Sequence, residues 1–138
     1  MTMTTTGDLL AAIGAHLAAF ELPAIASVHT VTSAGGSPDI TVQLACREPD
    51  HLAQGLLVWA DTLTDVTAQA WREPHGDWVH LSVTGSLPGG AAVRIYGGLR
   101  VTLRAPGAGL EPNATTTLPL LTLRHLATPG HATEEVTV

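Results

Sequence analysis

The sequence predicts an α+β protein, a two-layer sandwich in which an antiparallel sheet of five or six strands carries two helices on one face. Three observations lead there. Apolar residues recur at helical spacing in two stretches, alternate every second residue in several others, and the alternating runs are punctuated by Gly and Pro at tight turns. Strands joined by short turns pair antiparallel, and the helices between them must bury an apolar stripe against the sheet. The order is α-β-β-α-β-β-β(-β), closed by a short C-terminal helix.

The first helix is marked by Leu9, Leu10, Ile13, Leu17 and Phe20, opens on Thr5 with Asp8 as a capping-box variant, and ends at Leu22-Pro23. Strand-like stretches 24–32 and 39–46 follow, joined at 33–38, where paired glycines tolerate positive φ. A second helix opens at Pro49, with Leu52, Leu56, Trp59 and Leu63 on one face. Strands 66–73 and 77–85 join across His75-Gly76, and strands 91–96 and 99–104 come after Pro88-Gly89-Gly90. Gly97-Gly98 predicts a sharp bend or bulge.

Residues 10–46 and 52–86 each read as a helix followed by a hairpin, with Leu10, Leu17, Ala18 and Ala26 aligning with Leu52, Trp59, Ala60 and Ala68. The abundance of Ala and Leu accounts for so thin an identity; a true repeat would give a pseudo-twofold sheet. Residues 1–104 form the core domain. Residues 105–127 are an extension packed on it, a short strand near 115–117 running into a helix from Pro119, and 128–138 is a flexible tail.

The 138 residues are 45% apolar and 13% charged, about half the ~25% of a typical soluble chain, and suffice for one domain with a real core. Uninterrupted apolar runs such as 56–60 fall far short of the ~20 residues that cross a bilayer, so no membrane span is expected. There is no lysine; six arginines face twelve carboxylates, for a net charge of −6. Such a field repels phosphate, and only Arg94, Arg100 and Arg104 cluster, so no nucleic acid is expected as partner. Cys46 stands alone, which excludes an intrachain disulfide and a cysteine zinc site. The N-terminus has no cationic start before its apolar segment, and the expected location is cytoplasmic.

A two-residue loop at His75-Gly76 fixes the register of the hairpin it closes. Ala68 then meets Val83, Ala70 meets Leu81 and Arg72 meets Val79 on the core side, while Gln69, Trp71 and Glu73 face Ser82, His80 and Trp78 on the reverse. Val93 and Ile95 join the core, which leaves Arg94 and Tyr96 on the reverse side, and Thr41 and Gln43 extend it. The candidate binding residues are therefore Trp71, Trp78, His80, Arg94, Tyr96, Gln69 and Gln43. Two of the three tryptophans and the one tyrosine lie there, side chains that dominate interfaces because each joins apolar area to a polar handle. Either this face binds, or the C-terminal segment folds back and covers it.

Other chemistry is poorly supported. Seven histidines are many for this length, yet their spacings match no metal pattern, and neither a metal nor a cofactor is expected. Cys46 reads as a small core residue, Ser82 and Ser86 lie in no nucleophile elbow, and no glycine pair has phosphate-loop spacing. No catalytic residue is assigned. His80 has no orienting carboxylate fixed by spacing, although Glu73 and Asp77 are within reach. The functional expectation is a non-catalytic protein–protein interaction or adaptor module, a homodimer, acting through the aromatic sheet face. The alternative is a small-molecule binding protein or enzyme using His80 and Arg94 in a shallow pocket.

The lack of lysine, the richness in Ala, Gly, Thr and Leu, and the stretches Ile40-Thr-Val-Gln-Leu, His80-Leu-Ser-Val-Thr-Gly and Tyr96-Gly-Gly resemble small uncharacterised proteins of high-GC actinobacteria. That group brings no activity with it. In element order the chain is also similar to the small acidic dimeric chaperones of secretion systems, a resemblance that implies partner binding on a sheet or helix face.

Overall fold

Thr5 Oγ1 accepts the Asp8 N–H at 3.0 Å and so starts helix α1 (Thr6–Ala19) as its capping residues predict. The computed structural model describes residues 5–32, 39–75, 77–101, 107 and 109–128. Beyond α1 it contains β1 (Ile25–Thr30), β2 (Ile40–Leu44), α2 (Pro49–Ala60), β3 (Thr64–Arg72), β4 (Trp78–Ser86), β5 (Ala92–Arg100), β6 (Thr115–Leu118) and α3 (Leu120–Ala127). The turn expected at 33–38 and the tail from 129 lie outside the described residues. Among those described, no helix is long and apolar enough to cross a membrane.

The architecture is α+β, with one six-stranded sheet in the order β1-β2-β5-β4-β3-β6. The sheet is mixed rather than wholly antiparallel, because β5 pairs parallel with β2 and antiparallel with β4. The reason is edge satisfaction. The hairpins β1–β2 and β3–β4 each leave an inner edge of unpaired N–H and C=O groups, and a single strand between them satisfies both. A reciprocal clasp fixes the junction: Asp39 N–H donates to Ala92 O at 3.0 Å, and Ala92 N–H donates to Asp39 Oδ2 at 3.0 Å.

The β3–β4 register is the expected one, with Ala68 against Val83, Ala70 against Leu81 and Trp71 against His80. Alternation then sorts the side chains. Ile40, Val42, Val79, Leu81, Val83, Val93 and Ile95 are fully buried beneath Leu52, Leu56 and Trp59 of α2. Helix α2 packs on β4 and β5, α3 packs on α2, and β6 pairs with the outer edge of β3. Among the described residues, the C-terminal segment therefore extends the sheet and braces the helix layer, and it leaves the opposite sheet face uncovered.

Two sequence expectations need correction, the buried stripe of α1 and the bend at Gly97-Gly98. On α1, Leu10 and Phe20 are exposed, at 52% and 42%, and the buried stripe is Leu9, Ile13 and His16. The helix meets the sheet mainly at its β1 margin, so a narrow stripe suffices. The aligned pairs Leu10/Leu52 and Ala26/Ala68 each match an exposed residue with a buried one, which makes the internal similarity compositional. Gly97-Gly98 makes no bulge, since pairing with β4 runs unbroken through both. Instead a Cβ at Gly97 would overlap the buried Leu52 side chain, so this glycine lets α2 approach the sheet.

His16 is 5% exposed, its ring stacked on Trp59 with centroids 5.5 Å apart. The Thr62 hydroxyl donates to Trp59 O at 2.7 Å, so its oxygen is left to accept from His16 Nε2–H at 2.8 Å. This selects the neutral Nε2–H tautomer.

Gly97→Ala is expected to cost about 1–3 kcal/mol by overpacking. Gly98→Ala, whose Cβ would come no closer than 3.4 Å to a neighbour, is expected to stay within about 0.5 kcal/mol of wild type. Urea unfolding of the two variants checks the pair. Burial lowers the His16 pKa from its ordinary value of 6.5, so the unfolded chain binds the extra proton first. Stability from this residue is complete above pH 6.5 and declines as pH falls below it. Denaturant midpoints at a series of pH values should show this decline reduced in His16→Gln.

Candidate functional site

The uncovered face is built by alternate residues of β2, β5, β4 and β3. Register places Thr41 beside Arg94, Thr84 on the other side of Arg94, Ser82 between Tyr96 and Gln69, and His80 between Gly98 and Trp71. Gly98 opens onto this face, with ordinary contact room where Gly97 on the other face has none. It has no side chain, and the Trp78 and His80 rings close over the space where its Cβ would stand, at 3.4 and 3.7 Å.

Planar groups run across the strands from that point. His80 stacks on Tyr96 with centroids 5.3 Å apart and planes within 15°, and the Trp71 ring meets His80 edge-on at 5.1 Å. The Arg94 guanidinium carbon lies 5.6 Å from the Tyr96 centroid, a cation–π contact. The outer ends are pinned as well. Trp71 Nε1–H donates to Asn113 Oδ1 at 3.0 Å, and Asn113 sits at φ 69° in a turn closed by Ala114 N–H to Glu111 O. Asparagine tolerates that left-handed backbone better than most residues.

Glu73 supplies the carboxylate that spacing alone did not assign. Its Oε2 lies 2.6 Å from His80 Nε2, a short charge-assisted contact between partly exposed groups. Glu73 is held for this by its own N–H, which donates to Trp78 O across the hairpin. The imidazole is thus oriented through one nitrogen. Among the described residues no hydroxyl or thiol is hydrogen-bonded to it, so the geometry is that of a fixed polar group beside two rings.

These side chains bound an open trough of about 530 Å³ lined by Thr41, Gln69, Trp71, His80, Thr84, Arg94, Tyr96 and Thr115. Five of the seven sequence candidates line it. The other two stand outside: Trp78 lies under the Arg100 guanidinium at 5.5 Å, and Gln43 accepts a hydrogen bond from Ser27 at 3.3 Å. The chain matches no family model, no curated protein and no solved structure. The site therefore has to be read from its own geometry.

Sequence reasoning placed Thr41 on this face without naming it a binding residue, and missed Thr84 and Thr115 as lining groups and Asn113 as the anchor of Trp71. Alternation from Arg94 would have found Thr84 once the register was known. Thr115 and Asn113 depend on β6 joining the sheet, for which four residues of threonine and leucine gave no register signal. The remaining described histidines do not gather: His16 is buried, while His29, His51, His75 and His125 are exposed on separate elements. Among the described residues no three His, Cys, Asp or Glu side chains converge as metal ligands.

The Glu73 contact predicts a single tautomer for neutral His80, with Nε2 protonated. Long-range proton–nitrogen spectra should show that tautomer in the wild type and a mixture in Glu73→Ala. A mixture already present in the wild type would contradict the assignment.

Proposed function

We propose that the protein is a non-catalytic binding module whose recognition surface is the open sheet face, and that its occupant is a small molecule held in the trough. One observation carries the choice of occupant: Trp71, His80, Tyr96 and Arg94 are packed on one another as partly buried walls of a concavity, and do not stand free as projecting anchors. A volume near 530 Å³ lies within the ~300–1,000 Å³ common for ligand sites. Lining of mixed character, with rings, threonine hydroxyls, one amide and one guanidinium, suits a ligand that is largely apolar with a few polar groups.

A second reading keeps the face as an adaptor or homodimer surface. It is supported by the reach of the face beyond the trough, to Gln43 and to Trp78 under Arg100, and by the lack of any described element over it. Trp, Tyr and Arg are the residues on which such interfaces most often depend.

A fragment library of planar acids, amides and alcohols, followed by proton–nitrogen correlation spectra, separates the two. Small-molecule binding is expected to move the Trp71 indole signal and the amides of residues 80, 94 and 96, and Thr84→Trp, which fills the trough, is expected to abolish the shifts. A library that moves none of them overturns the small-molecule reading. Light scattering on the same samples tests the second. A two-chain mass lowered to one chain by Trp78→Asp supports it, and a monomer at every concentration removes it.

A further inference from the structure

We infer that one end of the trough is a carboxylate subsite formed by Thr41, Arg94 and Thr84, and that the ligand is an elongated monocarboxylic acid with an uncharged body. This rests on the reading of the trough as a small-molecule site and names what that site selects.

Register alone sets the three residues in a row. Thr41 on β2 and Thr84 on β4 are the direct lateral partners of Arg94 on β5, so a guanidinium stands between two hydroxyls on neighbouring strands. None of the three side chains has a hydrogen bond or ion pair with another described residue; the Arg94 guanidinium makes a cation–π contact with the Tyr96 ring. Arg94 Nε is in addition buried without a hydrogen-bond partner among the described residues. Leaving a charged group's donor in that state is costly unless something else completes it. A guanidinium presents its donors in a planar fork that matches the two oxygens of a carboxylate, and a threonine hydroxyl on either side can donate to the same oxygens.

The charge count selects carboxylate over phosphate. Among the described residues Arg94 is the only Arg or Lys lining the trough, and His80 is already engaged by Glu73. A phosphate monoester carries about −1.5 to −2 and calls for several donors. Among the described residues no helix N-terminus on this face adds any, because the helices pack on the other side, and the backbone N–H groups of the central strands are committed to ladders. A net charge of −6 further disfavours a dianion.

The body of the ligand follows from the direction of the trough. Its lining residues come from β2, β5, β4, β3 and β6, so it crosses five strands, roughly 19 Å at ~4.8 Å per strand. From Arg94 toward β6 the wall is Tyr96, His80, Gln69, Trp71 and Thr115, which offers rings and neutral polar groups to an extended aryl or alkyl chain.

The test uses ω-phenylalkanoates of increasing chain length, with the matching amides and phosphate monoesters, titrated into the full chain by calorimetry and by the NMR signals named above. The carboxylate is expected to bind at least about tenfold tighter than the amide and the phosphate of equal length. Arg94→Gln should reduce the carboxylate to the level of the amide, and Thr41→Val and Thr84→Val should each weaken it several-fold with the amide unchanged. If amide and carboxylate bind alike, or Arg94→Gln leaves the carboxylate unaffected, the subsite is wrong while the trough remains a ligand site. If no member of any series binds at millimolar concentration, the subsite and the trough reading both fall.

Discussion

Everything on the open face depends on one strand finding two partners at once. Strand β5 lies between hairpins that would otherwise share no ladder, and its alternation divides its residues between two duties. Val93, Ile95 and Leu99 complete the core, while Arg94, Tyr96 and Gly98 form the middle of the recognition face. Slippage by one residue would exchange these sets, driving a guanidinium and a phenol into apolar packing and isoleucine into water. The buried neighbours on β2 and β4 make that exchange costly, so the position of Arg94 is secured mainly by the core beneath it.

The adjacent glycines illustrate the same division. Gly97 permits α2 to approach closely enough for Leu52 to bury itself, and Gly98 lies beside the Trp78 and His80 rings at ordinary contact distance. The first is a packing requirement of the helix layer, and the second belongs to the open face. The two faces are therefore coupled through a backbone dipeptide, and each is built on rigid strands whose ladders leave little freedom for the site to widen or shift.

The register of β3 and β4, the core stripe of α2 and the distribution of Trp71, His80, Arg94 and Tyr96 to one face were legible in the sequence, because period-two alternation and a short hairpin loop determine them. Long-range pairing was not. Nothing local distinguishes a β5 that prolongs an antiparallel meander from one that runs beside β2, since both bury the same alternate residues. Helix α1 misled for a related reason: its leucines and alanines supply several candidate stripes, and which one is buried depends on its marginal position over β1. The stripe includes His16, a residue whose type argues for the surface but whose ring fits between Phe20 and Trp59. Glu73 reaches His80 only because the hairpin brings its own carboxylate back over the strand, a geometry that sequence spacing leaves open.

The clasp between Asp39 and Ala92 spans 53 positions along the chain. Closing so large a loop costs more entropy than forming the β3–β4 or β4–β5 hairpins, whose contacts are local. Assembly is thereby biased: the C-terminal meander can organise by itself, whereas β1 and β2 have no sheet to join until β5 is in place. During synthesis the N-terminal hairpin emerges first and waits longest. Thr41, one of the three residues of the proposed anion-binding row, thus comes from the segment that docks late, and the trough is complete only when the whole sheet has closed.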